Sequence, residues 1–160
     1  MKMKTLQTEN GFTLIEALVA MVVLSIGIFS LYSMQLNGIR GNSKANTLTT
    51  AATWNADQVE QMIGVQYSDA TVKDTDGDGT NHDLDQNGID ERGNNFGLDD
   101  ITIATADGNF ATPDGRYLVL WNVAVDLPMP NLKTIRVHVL DQTNRLTKPV
   151  TFTYIKAGTI

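Results

Sequence analysis

The longest apolar segment of the chain lies close to its N-terminus. It extends from Phe12 to about Leu36, and Glu16 is the only charged residue within it. Because an α-helix rises about 1.5 Å per residue, some twenty apolar residues span roughly 30 Å, the thickness of a bilayer core. The pattern therefore predicts a single transmembrane helix over residues 12–36, with Lys2 and Lys4 before it on the cytoplasmic side.

Beyond residue 36 the composition becomes polar, but apolar side chains still recur at helical spacing. Intervals of three, four and seven residues over 37–66 predict an amphipathic helix with one face on a core. Joined to the apolar segment, it gives one helix from Phe12 to Val65, roughly 80 Å long. Three glycines mark points where it could bend. The core-facing residues are Ala45, Leu48, Ala52, Val59 and Met62, and the glycines are Gly27, Gly38 and Gly41.

From residue 101 the pattern changes to the alternation that is typical of strands. Strands are predicted at Ile101–Thr105, Arg116–Asp126, Leu132–Leu140 and Val150–Ile155. The short connections between the last three favour an antiparallel arrangement. Residues 101–160 are therefore predicted to form an antiparallel sheet of about four strands, on which the helix packs to give an α+β fold.

Three residues with side chains suited to ligand binding are instead assigned structural roles. Trp54 and Trp121 are predicted to be packing residues or subunit contacts. His138 alternates with Val137 and Val139, so it is predicted to lie on the opposite sheet face or at the surface.

The N-terminal segment differs from the common targeting segments in two ways. A secretory signal is cleaved after its apolar core, whereas Gly11 stands before the apolar segment. A plain membrane anchor would not explain Glu16, because a charge within the bilayer costs at least about 2–3 kcal/mol. Alternatively, Glu16 simply reaches the headgroups near the start of the helix.

The sequence GFTLIE at Gly11–Glu16 resembles the class III signal of type IV prepilins and type II secretion pseudopilins. This resemblance implies that residues 1–11 are a leader peptide, cut off after Gly11 by a prepilin peptidase, and that Phe12 is then N-methylated. It implies that Glu16 pairs with the N-terminal ammonium of a neighbouring subunit during assembly, an attraction that apolar surroundings strengthen.

The same resemblance implies a pilin fold, in which half of the long helix is transmembrane and the remainder packs on the sheet. It implies four partners: other pilin subunits, the prepilin peptidase, an inner-membrane assembly platform, and membrane lipid before assembly. The implied location is the bacterial inner membrane, followed by an extracellular pilus or a periplasmic pseudopilus.

The strand region resembles a subgroup of this family. YLVLWNV at 117–123 and NLKTIRVHV at 131–139 are similar to the PilV-type pilus modification proteins, which are minor pilins. The implied function is that of a minor pilin of a type IV pilus that supports pilus assembly or tip function. The alternatives are a minor pseudopilin of a type II secretion system and a membrane-tethered, calcium-dependent binding domain that does not polymerise.

An acidic loop region, residues 67–100, separates the helix from the strands. The segment from Asp69 to Asp100 contains ten acidic residues and two basic residues, Lys73 and Arg92. It therefore carries a charge of −8, and the charges of the rest of the chain nearly balance. The segment is therefore either a solvated acidic loop or a cation site.

Within this region aspartates alternate as in the first half of an EF-hand calcium loop. Gly79 follows them, and a glycine there allows the sharp turn that directs carboxylates inward. Calcium takes about six to eight oxygen ligands in flexible geometry, which this segment can supply. His82 would suit zinc, but one histidine without cysteine is a weak indication. The predicted calcium ligands are Asp74, Asp76, Asp78, Asp83, Asp85, Asn87 and Asp90.

Composition excludes several classes of function. The net charge of −6 does not suit nucleic-acid binding, which needs a surface rich in Lys and Arg. The absence of cysteine excludes disulfides, thiolate metal sites and cysteine nucleophiles. The sequence contains no nucleophile-elbow, phosphate-loop, dinucleotide-binding or zinc-protease motif. We therefore predict that the chain is not an enzyme.

Overall fold

The computed structural model describes residues 11–80, 90, 93 and 95–158. It contains one long helix and a four-stranded antiparallel sheet, which confirms the predicted α+β, pilin-like architecture. The chain divides into two compact units, Met1–Ser43 and Lys44–Ile160. Helix α1 spans Leu14–Gly64, a 3₁₀ turn spans Ala70–Val72, and the strands are β1 Gly108–Ala111, β2 Tyr117–Val125, β3 Leu132–Asp141 and β4 Val150–Ala157.

The first unit contains the N-terminal part of α1. The Thr13 hydroxyl accepts a hydrogen bond from the Glu16 N–H at 3.3 Å, which satisfies one donor of the first turn. Gly27, Gly38 and Gly41 are all helical, so α1 continues through the three positions at which a bend was considered.

In the second unit the order of strands in the sheet follows their order in the chain. Three strands lie where alternation predicted them, but the prediction of a strand at Ile101–Thr105 is wrong. That segment forms turns, in which the Ala106 N–H donates to the Thr102 carbonyl at 3.0 Å. The first strand is instead Gly108–Ala111, and only a glycine at its start leaves room for the Trp121 indole. A five-residue alternation cannot show whether a neighbouring strand accommodates the segment.

The main core lies between residues 44–64 of α1 and one face of the sheet. Alternate residues of β2 and β3 point to the helix and are buried. Trp54 and Trp121 pack against this core, which confirms their predicted packing role. The buried members of the core are Ala51, Met62, Val72, Tyr117, Val119, Val123, Ile135, Val137 and Val139.

The helix face that contacts the sheet is more polar than the apolar pattern indicated. Met62 is buried, as predicted, and Ala52 and Val59 are half-buried. Ala45 and Leu48 are exposed, so their assignment to the core is wrong. The buried stripe consists of Thr47, Ala51, Asn55, Gln58 and Met62.

Side-chain hydrogen bonds to the sheet explain one of these buried polar positions, Asn55, and a bond to a backbone carbonyl joins helix and sheet at Thr47. The Asn55 Nδ2 group donates to the carbonyls of Val137 at 3.1 Å and Val150 at 2.9 Å, and so joins α1 to two strands. The Tyr117 hydroxyl donates to the Thr47 carbonyl at 3.2 Å. A polar residue is stable in a core when it is paired in this way, and hydrophobic periodicity does not reveal such a residue.

Two lysines of the sheet bind backbone carbonyls at the C-terminal end of α1 and just after it. Lys156 Nζ donates to the carbonyls of Met62 at 2.8 Å and Ile63 at 3.1 Å. Lys133 Nζ donates to the Tyr67 carbonyl at 2.8 Å and lies 4.3 Å from the centroid of the Tyr67 ring. The last turn of α1 contains no basic residue, so these ammonium groups supply the positive charge that a helix C-terminus favours. Burial, and next the charge of Lys156, lower the pKa of Lys133.

Residues 95–100 cover the other face of the sheet. The backbone of this segment is held by Asn122, whose Nδ2 group donates to the Asp100 carbonyl at 2.8 Å. Arg136 forms an ion pair with Asp99. A small second apolar cluster of Phe96, Leu98 and Ala124 lies beneath the segment, with Leu127 against it.

His138 lies on this second sheet face, as predicted, but it is buried and not at the surface. Its Nε2 atom lies 2.8 Å from the Leu98 carbonyl, and its Nδ1 atom lies 2.9 Å from the Thr151 hydroxyl. A neutral ring that donates from Nε2 and accepts at Nδ1 satisfies both contacts. Burial lowers the pKa of His138. The charged groups around the ring are Arg136, which lowers that pKa further, and Asp99 and Asp100, which raise it.

Candidate functional site

The predicted processing site lies in a short segment directly before α1. Gly11, Phe12 and Thr13 are not helical and are exposed, with 74% of Phe12 accessible. Exposed, irregular backbone is the form in which a protease can bind its substrate. Glu16 lies in the first turn of α1, where the helix dipole favours a carboxylate, and it has no ion pair with any residue that the structure describes.

The apolar segment that follows is exposed from Phe12 to Gln35. Its large side chains from Phe12 to Met34 have exposed fractions between 52% and 83%. The hydroxyls of Ser25 and Ser30 donate to carbonyls four residues earlier, so neither needs water. By length and composition α1 is able to cross a membrane. An apolar surface this large indicates burial in lipid or against other chains.

The acidic region brings three of the predicted calcium ligands together. Asp74, Asp76 and Asp78 each offer a carboxylate oxygen, and these oxygens lie within 4.8 Å of one another. The Gly77 N–H donates to Asp74 Oδ1 at 2.8 Å, and the Asp78 N–H donates to Asp76 Oδ1 at 3.2 Å. These hydrogen bonds fold the loop backbone against two of the carboxylates, and Gly77 allows the turn with a φ of 82°.

The electrostatics of this cluster are those of crowded carboxylates. Burial raises the pKa of Asp78 to about 7, with further contributions from Asp76, Asp100 and Asp107. Burial is also the largest cause of the raised pKa of Asp74. Like charges this close oppose each other's ionisation, and a divalent cation would relieve that repulsion.

The cluster is anchored to the free part of the β2 edge. The Val125 N–H donates to the Gly79 carbonyl at 2.9 Å. Asp107 accepts from the Val123 N–H at 2.7 Å and also from the Thr75 N–H. The loop therefore continues the pairing of β2 beyond the end of β1 and fixes the position of the aspartates relative to the sheet.

The other predicted ligands are not part of this described cluster. Asp90 is buried, and its Oδ2 atom accepts a hydrogen bond from the Phe96 N–H at 2.9 Å. Asp83, Asp85 and Asn87 lie outside the described residues.

Sequence reasoning overlooked Asp107 as a member of this site. Asp107 raises the pKa of Asp78, and burial is the main cause of its own raised pKa. It stands alone after the acidic run, in the dipeptide Asp107–Gly108. An Asp-Gly pair indicates a turn, but nothing in the sequence connects that turn with the alternating aspartates.

A comparison with family models identifies one part of the chain. The model of the prokaryotic N-terminal methylation motif matches residues 6–32, which include Gly11, Phe12 and Glu16. No curated protein and no solved structure matches the chain. The motif and the α+β architecture together support a prepilin-like structural subunit, which implies processing by a prepilin peptidase and assembly with other pilins.

Proposed function

We propose that this chain is a minor pilin of a type IV pilus, cut after Gly11, methylated on Phe12 and assembled through its N-terminal helix. The observation that carries the proposal is the match of the methylation motif over residues 6–32, followed by a helix whose apolar side chains are all exposed up to residue 35. Such a surface needs an apolar environment at every stage. Lipid supplies it before assembly, and the helices of neighbouring subunits supply it afterwards.

Glu16 directs the assembly step in this proposal. Cleavage creates an ammonium group on Phe12, and an apolar filament core strengthens its attraction to a carboxylate of the next subunit. Replacement of Glu16 by Gln should leave cleavage and membrane insertion intact and should prevent incorporation into filaments. Incorporation of the Gln variant at the wild-type level would contradict this role.

Cleavage is tested with a pair of glycine variants. Gly11→Ala should keep the full-length precursor in the membrane fraction, as judged by its mobility and its N-terminal peptide. Gly27→Ala is the matched control, because a Cβ at Gly27 meets nothing within 4 Å and this glycine lies outside the cleavage segment. A Gly11→Ala chain that is shortened like the wild type would refute the prepilin mechanism.

The finer assignment within the family is to the PilV-type minor pilins, which the sequences of β2 and β3 support. The alternative is a minor pseudopilin of a type II secretion system. Deletion of the chain should reduce or alter surface pili in the first case. Loss of protein secretion with normal pili would favour the pseudopilin, and normal pili and secretion together would favour a tethered binding domain.

We also propose that the aspartate cluster binds calcium and that the ion stabilises the acidic loop. The supporting observation is the closeness of the carboxylates of Asp74, Asp76 and Asp78, whose oxygens lie within 4.8 Å of one another, in a loop anchored to β2 through Gly79. Ligand binding to the folded state raises stability by about 2.7 kcal/mol at one hundred times the dissociation constant. A fragment that begins at Lys44 should therefore melt at a higher temperature in calcium than in chelator.

The calcium experiment includes Asp76→Asn as the variant that is expected to lose the effect. This change removes one charge from the cluster, and the variant should lose most of the calcium-dependent rise in melting temperature. Equal melting of the wild-type fragment in calcium and in chelator would contradict the proposal.

A further inference from the structure

A pocket of about 230 Å³ lies between the last turn of α1 and the C-terminal half of β4. Small-molecule sites usually have volumes of about 300–1,000 Å³, so this pocket suits a single side chain better than a whole ligand. Ile63 and Ile155 are more than half exposed and give the pocket apolar walls. Its lining residues are Ile63, Tyr154, Ile155, Lys156 and Ala157.

Lys156 gives this pocket a buried positive charge. Only 9% of the residue is exposed, and its Nζ group donates to the carbonyls of Met62 at 2.8 Å and Ile63 at 3.1 Å. An ammonium group has three donors, so one N–H has no partner among the residues that the structure describes. Among those residues the ion pair present joins Arg136 to Asp99, so no carboxylate neutralises Lys156 by direct contact.

A second buried lysine strengthens the positive potential at this end of the sheet. Lys133 of β3 lies directly opposite Lys156 of β4, and only 7% of Lys133 is exposed. Burial is the main cause of the lowered pKa of Lys133, and the charge of Lys156 lowers it further by more than the charge of Asp74 raises it. Hydrogen bonds from Thr71 are the main cause of the lowered pKa of Asp69, ahead of the charge of Lys156. Two ammonium groups side by side therefore favour an anion close to them.

Tyr154 independently indicates a ligand. Its ring packs against the main core, and its hydroxyl oxygen is buried and has no hydrogen-bond partner among the described residues. Burial raises the pKa of Tyr154, so the hydroxyl keeps its proton and is available as a donor. Buried hydroxyls usually have a partner, and leaving one unpaired is costly. Tyr154 lines the pocket two residues before Lys156 on the same face of β4, so an acceptor that enters the pocket can serve both donors.

We propose that this pocket binds the carboxylate of an acidic side chain from a neighbouring filament subunit. This inference rests on the proposed function, since it requires neighbours in a filament. A carboxylate has two oxygens that only accept hydrogen bonds, so one can accept from Lys156 Nζ and the other from the Tyr154 hydroxyl. A neighbouring chain also covers the exposed side chains of Ile63 and Ile155, which a free anion would leave in water.

The contact would act mainly on the choice and orientation of the neighbour. Charge complementarity contributes more to specificity than to affinity, and a pocket with an unneutralised ammonium group disfavours a basic side chain at the same position. The apolar helices provide the bulk of the assembly energy in any pilin-like subunit, so they do not distinguish one partner from another. The pocket provides a distinguishing contact on the Lys44–Ile160 unit.

The experiment uses the full chain in cells that assemble filaments. The photoreactive residue benzoylphenylalanine replaces Ala157, an exposed lining residue, and cross-links are formed before the filaments are sheared off. The test variant is Tyr154→Phe, which removes a hydroxyl that has no partner among the described residues and so should not weaken the fold. The matched control is Tyr67→Phe, which removes a hydroxyl near Lys133, outside the pocket.

The expected product is a cross-link to another pilin subunit beside one of its aspartates or glutamates. The yield should fall about tenfold in Tyr154→Phe, as expected when a hydrogen bond to a charged group is removed, and should be unchanged in Tyr67→Phe. Replacement of the partner's acidic residue by its amide should lower the yield in the same way.

Three results would overturn the inference and leave the proposed function intact. They are equal yields from Tyr154→Phe and Tyr67→Phe, a cross-link with no acidic residue beside it, and no cross-link although the chain is present in the filaments. Absence of the wild-type chain from sheared filaments would overturn the proposed function, and the inference with it.

Discussion

Asn55 offers the most direct test of how α1 is held on the sheet. It is fully buried, and its Nδ2 group bonds the carbonyls of Val137 and Val150, 82 and 95 residues away in the chain. Replacement by Ala removes both hydrogen bonds and leaves the backbone of the three elements unchanged. The perturbation therefore acts on the packing of the helix against strands β3 and β4.

The magnitude follows from the two hydrogen bonds that the substitution removes. Each hydrogen bond contributes about 0.5–1.5 kcal/mol net, so the pair contributes about 1–3 kcal/mol. Ala is a better helix former than Asn by about 0.5 kcal/mol, which partly offsets this destabilisation. The Asn55 Oδ1 atom is buried and has no partner among the described residues, so its removal gives a further small offset.

The assay is urea unfolding of the fragment that begins at Lys44, with Asn46→Ala as the matched control. Asn46 is an exposed asparagine of the same helix, so its replacement yields the propensity gain alone. We expect Asn55→Ala to lower the free energy of unfolding by about 1–3 kcal/mol relative to Asn46→Ala. Equal unfolding of the two variants would refute the assignment of Asn55 as the link between helix and sheet.

Two further predictions concern the loop edge and the second sheet face. Gly79→Ala should destabilise the fragment by about 1–3 kcal/mol, because its Cβ would overlap the Val123 carbonyl oxygen, whereas Gly64→Ala meets nothing and should be nearly neutral. Similar melting temperatures for both would contradict the close packing of the loop on β2. For His138 the lowered pKa means that protonation favours unfolding, so stability is complete above about pH 6.5 and is lost as the pH falls below it. His138→Gln should flatten that loss below about pH 6.5, and an unchanged pH profile would contradict the buried, neutral ring.

Periodicity predicted the parts of the fold that repeat locally. The long helix follows from apolar spacings that recur over many residues, and β2, β3 and β4 follow from their apolar and alternating residues. Helix α1 begins and ends within two residues of the predicted limits. Such patterns reflect one face packing on a core, which is a property of each element by itself.

The features that escaped prediction depend on residues far apart in the chain. Lys156 reaches the end of α1 across 94 positions, and no local pattern links a lysine of the last strand to that helix end. His138 is buried because residues 95–100 fold over it, which its own alternation does not show. Asp107 joins the aspartate cluster through the same kind of distant pairing with Thr75 and Val123.

The predicted processing site, in contrast, depends only on neighbouring residues. Gly11, Phe12 and Glu16 are recognisable from six consecutive residues, because a peptidase reads a short exposed segment and not a folded surface. The described geometry adds that this segment is irregular and exposed directly before the helix. The predicted calcium ligands are an intermediate case, since the alternating aspartates are local in the sequence but their anchoring on β2 is not.

The most direct test of the central claim is mass spectrometry of tryptic peptides from sheared surface filaments. No Lys or Arg lies between Phe12 and Arg40, so a processed subunit should yield the peptide Phe12–Arg40 with a methylated N-terminus. Its presence in the filament fraction would establish cleavage, methylation and incorporation together. Recovery of the chain only in membranes, with its N-terminal peptide beginning at Thr5 after trypsin cuts at Lys4, would contradict the account.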